Sequence, residues 1–179
     1  PYRNKPGFGV IGEAMGGLRY LTGHAGEPSV RVGVSIGDSL SALYAVIGTL
    51  LALQERQRSG LGQEIDVALY ESVFAMMESL LPEFDATGHV REPSGSALPG
   101  ITPSNAYRTC ENEYVLIAGN GDSIFKRLMG VIGRDDLANH PAMAHNDGRS
   151  QHASEIDAAI EAWTQTRHRD DILSALDDA

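Results

Sequence analysis

The stretch from Leu40 to Leu53 constrains this chain more than any other. It is apolar on nearly every face of a helix, so such a helix needs cover on all sides. The polar run Gln54-Glu55-Arg56-Gln57-Arg58 carries the same helix out to water. A buried helix is therefore expected over 39–58, ended by Gly60-Leu61-Gly62 with a glycine in the C′ position. The apolar part is too short to span a bilayer, and no membrane partner is expected. Just ahead of it stands Val34-Ser35-Ile36-Gly37-Asp38-Ser39, itself preceded by a β-like run of Val30, Val32 and Val34. Asp38 thus falls between a strand end and a helix start, the junction where open α/β proteins place their chemistry. A helix N-terminus favours an ionised carboxylate, and a partly desolvated one is a candidate nucleophile. The plainer role for an Asp before a helix is the N-cap.

The chain has 179 residues, 42% of them hydrophobic, enough for one domain or two small ones. A net charge of −10 with scattered arginines argues against nucleic-acid binding, which needs a basic footprint. The single cysteine, Cys110, excludes an intramolecular disulfide and fits a reducing compartment, so a cytoplasmic location is expected. The chain opens at Pro1-Tyr2-Arg3 and closes inside an expected helix, so it reads as part of a longer polypeptide.

Periodicity predicts a helix over 10–21, a strand over 30–34, a strand over 63–69 from the alternation of Ile65, Val67 and Leu69, and a helix over 70–87 rich in Met and Leu. A long Pro- and Gly-containing loop over 89–104 separates a first domain, 1–88, from a second, 105–179. A hairpin is expected from 105–108 and 114–118 around Glu111-Asn112-Glu113. Further helices are expected from Gly121/Asp122 to Ile132 and over about 150–165 and 168–177, with a turn at 135–138 and a loop at 141–148.

Several motifs carry less than they suggest. Gly7-Phe8-Gly9-Val10-Ile11-Gly12 fits G-x-G-x-x-G, but no buried strand precedes it, so a dinucleotide site is rejected. His140 and His145 lie in a proline-containing loop without ligand spacing, and no metal is expected; surface or capping roles suffice. No G-x-S-x-G is present, and Cys110 has no histidine beside it in sequence. Met76 and Met77 read as core filler.

A series of short pieces changes the weight on Asp38. Gly16-Gly17-Leu18, Thr22-Gly23, Val32-Gly33-Val34, Gly37-Asp38, Gln54-Glu55-Arg56, Gly60-Leu61-Gly62-Gln63 and Ile65-Asp66-Val67 follow in order. Asn105-Ala106-Tyr107-Arg108, Val115 to Asn120, Phe125 to Leu128 and Gly133-Arg134 continue it over nearly the whole chain. Together they resemble the family III CoA-transferases, the CaiB–BaiF group, which also holds the α-methylacyl-CoA racemases.

The resemblance implies an α/β fold: part of a nucleotide-fold large domain plus a small α/β domain, in an interlocked homodimer. It places Asp38 on the catalytic aspartate. That carboxylate attacks an acyl-CoA thioester, giving an aspartyl anhydride and CoA thiolate. The thiolate returns to form an aspartyl-CoA thioester, and an incoming carboxylic acid takes the CoA. Each step is near energetic balance, so neither ATP nor metal is needed. Gly37 beside it is expected at the substrate, where glycine lets backbone N–H groups approach an oxyanion. Gly95 and Gly100 stand as hinges of a loop over the acyl site, although Gly95-Ser96-Ala97-Leu98-Pro99-Gly100 lacks the run of adjacent glycines found in some members. Lys5, with Arg3 and Arg19 as alternatives, is the candidate for CoA phosphates. Donors such as acetyl-, formyl- or succinyl-CoA, and acids such as oxalate, formate or succinate, are all consistent with it. A racemase needs two bases; the racemase branch has Gly-His-Asp where this chain has Gly7-Phe8-Gly9, and Asp122 reads as an N-cap, so transferase is preferred. A non-catalytic structural or CoA-binding remnant is the remaining alternative.

Overall fold

The computed structural model describes residues 4–178. The chain divides into two compact units, 1–95 and 96–179, and its architecture is mixed helix and sheet, consistent with an α/β class.

The first unit is helical among its described residues. It contains α1 (Gly9–Met15), α2 (Leu18–Leu21), α3 (Ile36–Ser59), α4 (Leu69–Phe74) and α5 (Leu80–Thr87). The single helix expected over 10–21 is divided at Gly17, whose φ of 94° lies in the left-handed region. Gly16 beside it lets α1 lie directly on α4: a Cβ there would sit 2.6 Å from the Cβ of Val73. The helix expected over 70–87 is also divided. Pro82 cannot sit mid-helix, where its ring would meet the carbonyl four residues back and its missing N–H would break the ladder. The chain turns at Glu78, φ 53°, and restarts so that Pro82 falls in the first turn of α5.

The strands expected over 30–34 and 63–69 do not form; both segments are irregular. Alternation marks a segment able to pair, but a ladder needs a neighbouring strand, and none lies beside them among the described residues. The second segment instead runs along α3, where the Ile65 side chain covers Gly48 closely enough that a Cβ there would lie 2.9 Å away.

Helix α3 begins three residues earlier than expected and runs for 24 residues. It ends as anticipated: Gly60, φ 77°, gives its N–H to the Arg56 carbonyl. It is not buried. Leu43, Val46, Ile47, Leu50 and Leu51 are all at least half exposed. By length and composition α3 is able to cross a membrane, contrary to the expectation from the shorter segment. Yet its apolar stretch, 40–53, rises only ~21 Å at ~1.5 Å per residue, short of the ~30 Å hydrocarbon layer.

The second unit closes around its own core. Strands β1 (Ser104–Arg108) and β2 (Tyr114–Ala118) pair antiparallel, with Tyr107 opposite Val115 and Asn105 opposite Ile117. Asn112 takes φ 62° at the turn, a conformation Asn tolerates better than most residues. Val115 and Ile117 alternate inward and meet Phe125, Leu128 and Met129 of α6 (Asp122–Val131). The cluster is completed by Ile156, Ile160 and Trp163 of α9 (Ala153–Thr164) and Ile172 of α10 (Arg169–Asp177). The spacings 125/128/129 and 156/160/163 are those of one helix face. The Arg167 guanidinium lies 4.7 Å over the Trp163 ring. Residues 141–148, expected as loop, instead carry a 3-10 turn (Pro141–Met143) and the start of a helix, α8 (Asn146–Gln151), preceded by the short α7 (Asp135–Ala138).

Candidate active site around Asp38

Asp38 is the third residue of α3, inside its first turn. Ser35 holds the N-cap position and offers no side-chain cap, so the N-cap reading of Asp38 fails. An anion in the first turn is favoured by the helix dipole and by N–H groups without intrahelical partners. The Asp38 side chain is exposed rather than partly desolvated. Among the described residues its carboxylate makes no hydrogen bond or ion pair, so it is uncommitted.

What faces it is Gly9, the first residue of α1. A Cβ on Gly9 would sit 2.5 Å from Asp38 Oδ2 and 3.3 Å from its Cγ. Gly37 is buried in the same junction; a Cβ there would lie 3.4 Å from the Gly9 carbonyl oxygen and 3.5 Å from Val73 Cγ2. The structure thus joins Gly9, Gly37 and Asp38 at the meeting of α1, α3 and α4. The rejected G-x-G-x-x-G therefore has a packing meaning. Gly9 clears the carboxylate, and Gly12 lies on Leu69, where a Cβ would stand 2.9 Å from the Leu69 Cβ. One turn beyond Gly9 on α1, Glu13 is only 1% exposed, and its Oε2 has no hydrogen-bond partner. Sequence reasoning missed both Gly9 and Glu13. The available signal was their spacing with Gly16, at positions i, i+4 and i+7 of one helix face.

The other candidates are more scattered. Lys5 lines a mostly apolar groove of about 540 Å³ with Phe8, Ile11, Met15, Leu69 and Tyr70. Arg3 lies outside the described residues, and Arg19 is half-buried on α2. Gly95 takes φ 64° and packs on His24: a Cβ would lie 2.5 Å from Nδ1 of that ring, and the Gly95 N–H donates to the Gly23 carbonyl. Gly100, φ 76°, belongs to the second unit. Its carbonyl accepts from Asn146 Nδ2 at 2.7 Å and from Ser150 Oγ at 2.9 Å.

Asp122 is the first residue of α6 rather than its N-cap, which is Gly121. It is paired with His145 Nδ1 and with Arg149 Nη1, both at 2.9 Å. Hydrogen bonds from His145 and then Arg149 hold its carboxyl below the usual carboxylate range. His140 accepts a hydrogen bond from the Ala142 N–H and caps the 3-10 turn. Cys110 does have a histidine beside it in space: His168 Nδ1 lies 3.6 Å from its Sγ. The same ring nitrogen stands 3.0 Å from Glu111, so thiol and carboxylate converge on one atom and form no relay. Met77 is buried as core filler, but Met76 is exposed. No group of three or more His, Cys, Asp or Glu suited to a metal ion occurs among the described residues.

An uncommitted carboxylate in the first turn of a long helix, faced by glycine, makes Asp38 the candidate around which the site is described. The profile of CoA-transferase family III matches residues 1–179, and the chain belongs to that family. It is 47% identical over 178 residues to succinyl-CoA–D-citramalate CoA-transferase of Chloroflexus aurantiacus, covering 99% of this chain and 44% of that protein. It is 31% identical over 162 residues to acetyl-CoA:oxalate CoA-transferase of Acetobacter aceti, covering 90% of this chain and 41% of the relative. A CAIB/BAIF family protein from Brucella suis has the same fold, with a TM-score of 0.79 at 30% identity over 99% of this chain and 47% of that one. The chain thus spans less than half the length of the curated relatives it matches.

Proposed function

We propose that this chain is part of a CoA-transferase in which Asp38 is the nucleophile. An Asp38 carboxylate oxygen attacks the thioester carbonyl of a small acyl-CoA; the C–S bond breaks, and CoA leaves as thiolate. The thiolate attacks the Asp38 carbonyl of the resulting anhydride and releases the first acid. The acceptor carboxylate then attacks the aspartyl-CoA thioester, and the CoA thiolate returns to the new acyl group, freeing Asp38. The observation that carries this reading is the geometry at Gly9. A carboxylate must be reachable by a planar thioester from outside its own helix; the missing Gly9 side chain makes room for the Asp38 carboxylate at the junction, and the side chain there is exposed.

The relatives named for succinyl-CoA support succinyl-CoA as donor and a small carboxylic acid as acceptor. In this reading Gly37 lies at the substrate, Gly95 and Gly100 bound the loop over the acyl group, and Lys5 meets CoA. The intact protein contains a nucleotide-fold large domain and works in the cytoplasm as an interlocked homodimer. The exposed apolar face of α3 supports such an assembly, since covering each Leu or Ile would contribute ~1.5–3 kcal/mol. Phe8 and Gly9 offer no second base, which disfavours a racemase.

The test is trapping in the intact enzyme. Incubation with succinyl-CoA and then hydroxylamine should convert Asp38 to its hydroxamate; borohydride should reduce it to the alcohol. Peptide mass spectrometry reads both. Normal turnover by Asp38→Ala would sink the assignment.

A further inference from the structure

Among the described residues of the first unit, Glu13 alone is both titratable and buried, and the proposed reaction does not use it. It is 1% exposed, and no described residue donates a hydrogen bond to its Oε2. A buried oxygen without a donor costs stability, so one kept in a native fold calls for an explanation.

Its place in the fold supplies one. Gly9, Glu13 and Gly16 share a face of α1. At one end of that face Gly9 meets Asp38, and at the other Gly16 meets Val73 of α4; a Cβ on either glycine would come within 2.6 Å of its neighbour. Gly37 lies between these two contacts, since a Cβ there would stand 3.4 Å from the Gly9 carbonyl oxygen and 3.5 Å from Val73 Cγ2. Glu13 is therefore enclosed in the junction of α1, α3 and α4 that also holds Asp38. Cβ atoms four residues apart on a helix are ~5–6 Å from one another. The Glu13 side chain thus starts about that far from the point where a Gly9 Cβ would touch Asp38 Oδ2. With Glu13 and Gly37 both buried, the path between the two carboxyl groups runs through protein, which screens charge less than water does.

During CoA transfer Asp38 loses its negative charge each time it is acylated and regains it when freed. An electron-rich oxygen nearby, with no donor to absorb its charge, disfavours the free carboxylate. It has no such effect on the neutral anhydride or thioester. We infer that Glu13 is a positioning residue of the transfer site, whose unpartnered carboxyl acts across the α1–α3 contact and raises the share of Asp38 held as covalent intermediate. This role rests on Asp38 being the nucleophile. Glu13 touches neither the acyl group nor CoA in it; it acts through Asp38.

The experiment uses the intact enzyme with the variants Glu13→Met and Glu13→Gln. Glu13→Met keeps an unbranched side chain and removes both oxygens. Glu13→Gln nearly keeps the shape and covers the case in which the methionine variant fails to fold. Each enzyme is equilibrated with fixed concentrations of succinyl-CoA and succinate and quenched in acid. Peptide mass spectrometry then gives the ratio of CoA-bearing to free Asp38. That ratio should fall on the order of tenfold in both variants, within the range found for coupled neighbouring groups. A merely structural role would change the rates of forming and losing the adduct together and leave the equilibrium ratio alone. An unchanged ratio in either folded variant overturns this role while leaving Asp38 as nucleophile. Absence of any CoA adduct on Asp38 in the wild type overturns the proposed function instead.

Discussion

The two units of this chain hold themselves together in opposite ways. In the second, Phe125, Met129, Ile156, Ile160 and Ile172 are each no more than 1% exposed and join three helices in one core. In the first, Val73 and Met77 are the buried large apolar side chains among the described residues, while Phe8, Leu43, Val46, Leu50, Leu51 and many others face outward. The difference shows where stability and chemistry are kept. The second unit is stable through its own packing. The first carries Asp38, the proposed nucleophile, on a helix that gains little from its own unit, so the order around Asp38 depends on what covers α3.

Substitutions can break or sharpen that contrast. Phe125→Ala should cost ~3–5 kcal/mol in urea unfolding, the loss usual for a buried aromatic. Leu50→Ala in the same 179-residue chain should cost under ~0.5 kcal/mol by far-ultraviolet circular dichroism, as at other exposed sites. In the intact enzyme, with α3 covered, the Leu50 cost should climb to ~2–5 kcal/mol. Equal costs at Phe125 and Leu50 in the short chain would erase the distinction.

Gly9→Ala sharpens the chemical side. The added methyl meets Asp38 Oδ2, so kcat of the intact enzyme should drop ~100-fold, a loss in keeping with a misplacement of about 1 Å. The unfolding midpoint should barely move, because alanine suits a helix better than glycine. A variant with full activity would mean the carboxylate is approached from elsewhere.

Tyr107 supplies a smaller effect in the second unit. Its hydroxyl donates to Asp157 at 2.6 Å, and burial, then the Asp157 hydrogen bond, raises its pKa well above the ordinary tyrosine value. The folded form therefore keeps a proton that the unfolded chain gives up near pH ~10, and stability falls as pH rises above that value. Tyr107→Phe should lose ~1–2 kcal/mol at neutral pH and flatten the alkaline limb of the stability curve. The smallest effect belongs to Asp122. Its lowered pKa means a contribution present above the unfolded value and lost as pH falls through the folded one. Asp122→Asn should slightly reduce the acid sensitivity of the unfolding midpoint; an unchanged acid limb would show the His145 and Arg149 pairs to be energetically idle.

Much of the second unit was legible because its signals are local. The alternation of Val115 and Ile117 and a turn centred on Asn112 were enough for the hairpin, and the helix-face spacings at 156/160/163 were enough for α9. α8 was not legible: Asn146-Asp147-Gly148 reads as a turn. Gly148 is there for another reason, since a Cβ on it would overlap the Ala142 carbonyl. In the first unit, a strand expected over 30–34 and a helix expected from Ser39 left Asp38 in the junction between them, outside the helix. Asp38 was singled out through the family pattern. Its partner Gly9 was not, because a side chain made unnecessary by an atom distant in sequence leaves no local trace.

Trp163 has a practical consequence. It is the chain's one tryptophan, and it sits in the core of the second unit beneath Arg167. Intrinsic tryptophan emission from this protein is therefore a reporter of one core. It records loosening around α9 and α10, through loss of the guanidinium stacked on the indole. A single sharp emission transition on heating reads the melting of the packing around Trp163 in the second unit.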